Sequence, residues 1–288
     1  MARKPIVAGQ FYAGTFDALD KEINECFNSK FGPGDLPTKR KDKKILGIIA
    51  PHAGYQFSGP CAAWAYKEIA ESKFADVYIM LGLSHSGFGS CISLEDWETP
   101  FGIVKTDKQF GEKLSRNTGL KINEAPHEQE HSIEVQLPFL QFVSKDYLDK
   151  LKILPIIVSD DVDYEEIAKN IAKTIKESGK NACIIASSDF THFGLNYGYF
   201  PFKDNIKENM YKLDKGAIEH ILKLNSYRFL DYINETGATI CGRIPIATLI
   251  DICKGLGAKK GRLLHYYTSG DIIGDYGNAV GYGAIVIE

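Results

Sequence analysis

Residues 182–194 read ACIIASSDFTHFG, and the fold of this 288-residue chain follows from how that stretch is taken. Cys183, Ile184, Ile185 and Ala186 form an unbroken apolar run of the kind a strand buried on both faces shows. The run ends in a polar, glycine-terminated turn carrying Ser187, Ser188, Asp189, Thr191 and His192. A buried strand that delivers a carboxylate and an imidazole at its carboxyl end puts them where open α/β sheets bind ligands. The pattern recurs twice. Residues 45–50 (ILGIIA) run into Pro51, His52, Ala53, Gly54 and Tyr55, and residues 77–82 (VYIMLG) run into Leu83, Ser84, His85, Ser86 and Gly87. One histidine after a strand is ordinarily a hydrogen-bonded loop residue. Three of the chain's seven histidines so placed predict a convergent site.

Around these strands, apolar residues at helical spacing and capping residues predict helices. They span residues 15 or 17 to 29, 58–72, 107–117, 163–177, 205–224, 227–234 and 245–254, with a further helix within 126–143 interrupted by Pro138. Further strands are expected at 91–94, 102–106, 152–158, 262–269 and 279–287, with a turn at Trp97-Glu98-Thr99-Pro100. Residues 5–12 (PIVAGQFY) are apolar and aromatic, so the N-terminal arm packs on the body. The Gly-, Pro- and Lys-rich segment after Phe31 reads as a surface loop, since the one helix before it is too little for a domain. Strand–helix alternation makes the fold class α/β: a single domain over residues 1–288, with a largely parallel or mixed central sheet flanked by helices on both faces.

Composition excludes several function classes. A net charge of −3 argues against nucleic-acid binding, which draws on a basic surface. No apolar run approaches the roughly 18 residues of a membrane span, and no signal-like apolar core follows the N-terminal basic residues. The six cysteines are scattered without a CxxC pair, as expected of free thiols in a cytoplasmic protein.

Chemistry concentrates in three places. His52 and His85 are candidate metal ligands, imidazole being suited to iron, copper, zinc and nickel. Cys241, between Gly237 and Gly242 and ahead of a predicted helix, is a candidate third ligand whose thiolate the helix N-terminus would favour; its plain structural reading is a small buried residue. Asp189 and His192, three apart across a turn, offer a carboxylate–imidazole pair for proton transfer or mutual orientation, or else a capping Asp and a hydrogen-bonded His. His131 heads a predicted helix from which it can point into the same cleft, with Glu130 beside it and Glu134 one turn on. His127-Glu128-Gln129-Glu130-His131 matches the H-E-x-x-H zinc-protease motif. Pro126 directly before it and the absence of an apolar helical stripe upstream argue against that reading. Phosphate-cradling loops and a G-x-S-x-G elbow are absent from the sequence.

The segments PIVAGQFY, IIAPHAGYQFSG, LGLSHSG, EHSIEVQLPFL, IASSDFTHFG and ICGRIPI, in this order, resemble the Memo family (mediator of cell motility), whose prokaryotic members are called AmmeMemoRadiSam system protein B. The resemblance runs from Pro5 to the closing AVGYGAIV. It implies a domain similar to the class III extradiol dioxygenases, non-haem iron enzymes with two histidines and a carboxylate on the metal. It also implies metal positions at His52, His85 and Cys241, an acid–base residue at His192, and Asp189 and His131 lining the cleft. A thiolate then stands where the dioxygenases use glutamate, a softer donor that is itself oxidisable.

The expectation is therefore a metal-binding oxidoreductase, with Fe2+ as first choice and copper or zinc as alternatives. Its ligand is a small molecule or a peptide-borne aromatic, and radical-SAM and AMMECR1-type proteins are the implied partners. Tyr55, Phe57, Trp97 and Tyr197 are expected to line the cleft. Two alternatives stand beside it: a catalytically silent peptide- or partner-binding protein that retains the cleft, and a metal-free enzyme with Cys241 as nucleophile and His192 as base.

Overall fold

The computed structural model describes residues 2–288. Its strands are β1 (Ala2–Arg3), β2 (Gly47–Ala50), β3 (Val77–Gly82), β4 (Cys91–Ile92), β5 (Asp96–Thr99) and β6 (Gly102–Thr106). After these come β7 (Lys121–Ile122), β8 (Lys152–Ile157), β9 (Ala182–Ser187), β10 (His192–Gly194), β11 (Gly261–Thr268) and β12 (Asn278–Ile287). The helices are α1 (Phe16–Asn28), α2 (Tyr55–Ala70), α3 (Lys108–Thr118), α4 (Ala125–Glu128) and α5 (Gln136–Phe142). They continue with α6 (Tyr164–Ser178), α7 (Ile206–Leu222), α8 (Ser226–Thr236), α9 (Arg243–Gly255) and α10 (Ser269–Ile273).

The strands form one mixed sheet of 12, with the path β1-β5-β6-β8-β3-β9-β2-β12-β10. β6, β8, β3, β9 and β2 run parallel, and β12 closes antiparallel on β2. The three strands that lead into histidine turns, β3, β9 and β2, are immediate neighbours, so their carboxyl ends open side by side.

Each central strand divides its side chains between two cores, as the two-residue period of a strand requires. Ala182, Ile184 and Ala186 of β9 and Val77, Ile79 and Leu81 of β3 pack into the core that includes α6 and α9. Cys183, Ile185, Tyr78 and Met80 pack into the core on the opposite face, with α1, α2 and α5. Burial on both faces explains why these segments read as continuous apolar runs rather than alternating ones. Asp163 caps α6 by accepting from the Glu165 and Glu166 amides, and Asp107 caps α3 through Phe110. Pro155 sits inside β8 without cost because β8 changes partner around it. Lys152 and Ile153 pair with β6, whereas Ile156 and Ile157 pair with β4.

Several expectations need correction. Residues 96–99 are a strand, hairpinned to β6 through Thr99 and Gly102, so the turn lies at Pro100-Phe101 rather than Trp97–Pro100. Helix α2 begins at Tyr55, three residues ahead of the expected start, and takes Pro60 in its first turns. The stretch 126–143 is not one interrupted helix. It is a single turn, α4, then irregular chain, then α5 from Gln136, so His131 stands five residues ahead of a helix and not at its head. Helix α10 and the short strands β1, β7 and β10 fell outside the sequence pattern.

Candidate functional site

His52 follows β2, His85 follows β3, and Asp189 and His192 follow β9, all at one edge of the sheet. The elements that complete the site come from elsewhere: residues 129–135 between α4 and α5, and the loop ahead of α9. Two glycines permit the approach. A Cβ on Gly82 would lie 2.6 Å from Ile133 Cγ1 and 2.8 Å from Ser132 Oγ, so only glycine at the end of β3 lets the 130–133 segment close on it. A Cβ on Gly242 would lie 2.4 Å from Ser188 Cβ and 2.6 Å from the Ser187 carbonyl, so glycine there brings Cys241 against the end of β9.

Hydrogen bonds fix the ring nitrogens. The single hydroxyl proton of Ser187 goes to the Ser132 carbonyl at 2.6 Å, and Gln136 Nε2 donates to the same oxygen at 2.8 Å. His52 Nδ1, 2.9 Å away, must therefore be the donor, which leaves its Nε2 as a lone pair. His85 Nδ1 donates to the Glu130 carboxylate at 2.9 Å, and its Nε2 is likewise free. His192 Nδ1 donates to the Thr239 carbonyl at 3.0 Å, again freeing Nε2. Each outer partner sets a tautomer, as such partners do for metal-binding imidazoles.

His52, His85 and His131 form a group able to hold a metal ion, one ligand atom from each lying within 4.8 Å of the others. Their rings lie 5.5 Å apart for His52 and His85, 5.7 Å for His52 and His131, and 4.5 Å for the near-parallel His85 and His131. Cys241 Sγ is 3.4 Å from His52 Nε2 and accepts the Asp189 amide at 3.3 Å. Two donors on one tetrahedral ion, nitrogen at about 2.0 Å and sulfur at about 2.3 Å, stand about 3.5 Å apart, which matches Cys241 and His52, although the converging group itself consists of the three histidines without Cys241.

Electrostatics follow from burial. Desolvation pushes His52 well below the usual imidazole range, and the nearby His131 and His85 add to it. His131 is lowered by burial and by His85. Burial would raise Glu130, but the His85 ring and the amides of His85 and Ser132 outweigh it and hold the carboxyl at about 2. Glu130 in return raises His85 against its own desolvation. Burial and the charge of Asp189 push the Cys241 thiol up, contrary to the helix-terminus expectation; Cys241 lies outside α9, with Gly242 as the cap. Burial also raises Asp189, with His192 opposing.

Asp189 and His192 do not orient one another. Asp189 accepts the His52 amide at 2.9 Å, and His192 is held by Thr239. Both line a cavity of about 350 Å³ with His52, His85, His131 and Tyr197. Of the expected aromatic lining, Phe57 and Tyr197 face this cavity, joined by Phe11 and Tyr282. Tyr55 and Trp97 are buried in the core instead, Tyr55 donating to the Val135 carbonyl. The H-E-x-x-H motif does not converge. His127 is buried against Trp97 with its ring pushed down to about 4 by desolvation, while His131 belongs to the cluster. Glu134 turns away from the cleft to a buried ion pair with Arg3, 2.6 Å.

Sequence reading missed Ser187, Gln136 and Thr239 as ring anchors, and Arg3. Gln136 had a signal, an amide inside the apolar run VQLPFL; Arg3 had none.

The fold and site define an α/β protein with a histidine cluster at the carboxyl edge of a mixed sheet. The chain belongs to the Memo family: the model of that family, described as Memo-like protein, matches residues 3–286. A MEMO1 family protein of Nitrosopumilus maritimus is 41% identical over 291 residues, covering 99% of each chain. Another, from Methanopyrus kandleri, is 40% identical over 295 residues, covering 100% of this chain and 99% of that one. An uncharacterized Escherichia coli K12 protein, JW3007, has a similar fold, with TM-score 0.54 at 10% identity over 85% of this chain and 100% of that one. Among the described residues no helix is long and apolar enough to cross a membrane.

Proposed function

We propose that this chain is a metal-dependent oxidoreductase. Its iron, with copper or zinc as alternatives, is held by His52, His85 and Cys241, and its substrate is a small or peptide-borne aromatic. The observation that carries the reading is the pair of anchored imidazoles whose free Nε2 atoms face the cleft, with Cys241 Sγ 3.4 Å from one of them. Neutral imidazoles with one nitrogen committed to a fixed acceptor are the form a metal takes. Iron or copper, when bound, would supply Lewis acidity and redox capacity, and zinc Lewis acidity alone.

The chain's own residues do the rest. Asp189 fixes the His52 backbone. His192, whose Nδ1–H donates to the Thr239 carbonyl, presents Nε2 to the cavity as the base that takes a substrate hydroxyl proton and returns that same proton from Nε2 as acid. Phe11, Phe57, Tyr197 and Tyr282 give the cavity aromatic walls suited to a ring. The metal-free alternative is disfavoured because the raised thiol leaves Cys241 protonated at neutral pH, where a nucleophile needs thiolate.

The test is anaerobic purification followed by metal analysis by mass spectrometry, wild type beside His52→Ala and Cys241→Ala. Near-stoichiometric iron or copper that both variants lose is the expected result, and it justifies an oxygen-uptake screen with catechols. A wild type that stays metal-free after reconstitution refutes the reading and favours a binding protein that retains the cleft.

A further inference from the structure

We propose that His131 is a fourth protein donor to this centre, so that the ion is held by three imidazoles and one thiolate. The inference rests on the metal-centre reading above and deepens it.

Three observations carry it. The first is position: a ligand atom of His131 lies within 4.8 Å of those of both His52 and His85, the same convergence that makes those two candidates. The second is the state of its ring. His52, His85 and His192 each give one ring nitrogen to a fixed acceptor. His131 Nδ1 comes no closer than 3.8 Å to the Glu130 carboxylate, beyond hydrogen-bond reach, and among the described residues its ring has no hydrogen bond. The His131 side chain is 21% exposed, so in the metal-free protein its nitrogens are left to water and no protein group competes with a cation for them. A cation would supply the missing partner. Glu130 already orients His85 and lies on the Nδ1 side of His131, so one carboxylate would serve as outer partner to both rings.

The third is rigidity. A ligand must be held by its backbone, and His131 is pinned on every side. Its carbonyl accepts the Val135 amide at 3.0 Å, and the preceding Glu130 carbonyl accepts from Arg3 at 2.7 Å. The following Ser132 carbonyl accepts from Ser187 at 2.6 Å, and Phe11 packs edge-on at 4.9 Å.

The consequence is chemical. Four protein donors saturate a tetrahedral ion, whereas catalytic centres of three protein ligands keep a position open. A substrate donor must then displace a ligand or enlarge the coordination shell. His131, whose ring alone of the three has no hydrogen-bonded anchor, is the imidazole placed to yield.

Cobalt tests this directly. Metal-free wild type, His131→Ala, His131→Gln and His52→Ala are titrated anaerobically with Co2+, reading affinity and the ligand-field absorption spectrum, with circular dichroism and thermal melts to check folding. His131→Gln keeps the side-chain bulk and polarity, so it separates loss of a ligand from loss of packing. Expected is a fall in Co2+ affinity of more than about 100-fold in both His131 variants, beyond the roughly 10–100-fold of losing an outer partner, together with a changed spectrum. Wild-type affinity and spectrum in both, while His52→Ala loses binding, would overturn the role of His131 and leave the centre standing. A wild type that binds no Co2+ would overturn the centre and the inference together.

Discussion

Replacing Arg3 by methionine tests whether the N-terminal strand holds the site together from outside it. The guanidinium pairs with Glu134 at 2.6 Å, with side-chain exposures of 5% and 0%. It also donates to the carbonyls of His127 and Glu130, each at 2.7 Å, and lies 4.2 Å over the Trp97 ring. Removing one partner of a buried pair costs about 3–5 kcal/mol, because the other charge stays behind uncompensated. Glu134 keeps the Ile6 and Val7 amides and the Tyr12 hydroxyl, which softens the loss. The two orphaned carbonyls add roughly 1 kcal/mol or more each, and the methionine body recovers part of this against Trp97. The sum is about 4 kcal/mol, a large share of the 5–15 kcal/mol that keeps a typical protein folded. Urea unfolding followed by tryptophan fluorescence measures it, and Arg3→Met with Glu134→Gln makes the decisive comparison. Removing the stranded charge should return at least about 1 kcal/mol to the single variant. The folded Arg3→Met protein should also bind metal more weakly, since the segment carrying Glu130 and His131 has lost its brace. A cost below about 1 kcal/mol, or a double variant worse than Arg3→Met alone, would refute the argument.

Three further outcomes are expected. Gly242→Ala should cost about 1–3 kcal/mol through overlap with Ser188 and displace Cys241; a wild-type melting temperature with unchanged metal content would contradict the close-approach account. Asp214, fully buried, is lifted by desolvation to about 6 from 3.8, against the bonds it accepts from Thr191 and Tyr266. Its folded pKa is raised, so its contribution is full below about pH 4 and is lost as pH rises through 6, by about 3 kcal/mol for two units. The stability difference between Asp214→Asn and wild type should therefore shift in favour of the variant across pH 4–7, and a pH-independent difference in urea unfolding would sink this. His192→Ala should abolish turnover while leaving the melting temperature within a few degrees, whereas a pure binding protein would keep its ligand affinity in that variant.

Much of this protein is legible in one dimension because its central strands are buried on both faces. Uninterrupted runs such as Cys183–Ala186 announce a sheet covered by helices, and small-residue turns after them announce where histidines gather. Local chemistry also set the caps at Asp107 and Asp163. What periodicity cannot carry is the irregular chain between α4 and α5, where backbone geometry depends on contacts with distant segments rather than on its own propensities. Arg3 and Glu134 are 131 residues apart and meet only in the folded chain. The same holds for the ring tautomers of His52 and His192, which depend on Ser187 and Thr239. Likewise Cys241 meets His52 across 189 residues because Gly242 has no side chain. The sequence by itself determined the central strands, the helices that cover both faces of the sheet and the histidines, aspartate and cysteine that could do chemistry. Only tertiary structure decided which donors converge and which protons they carry, because those are properties of distances between chain segments that no local pattern encodes.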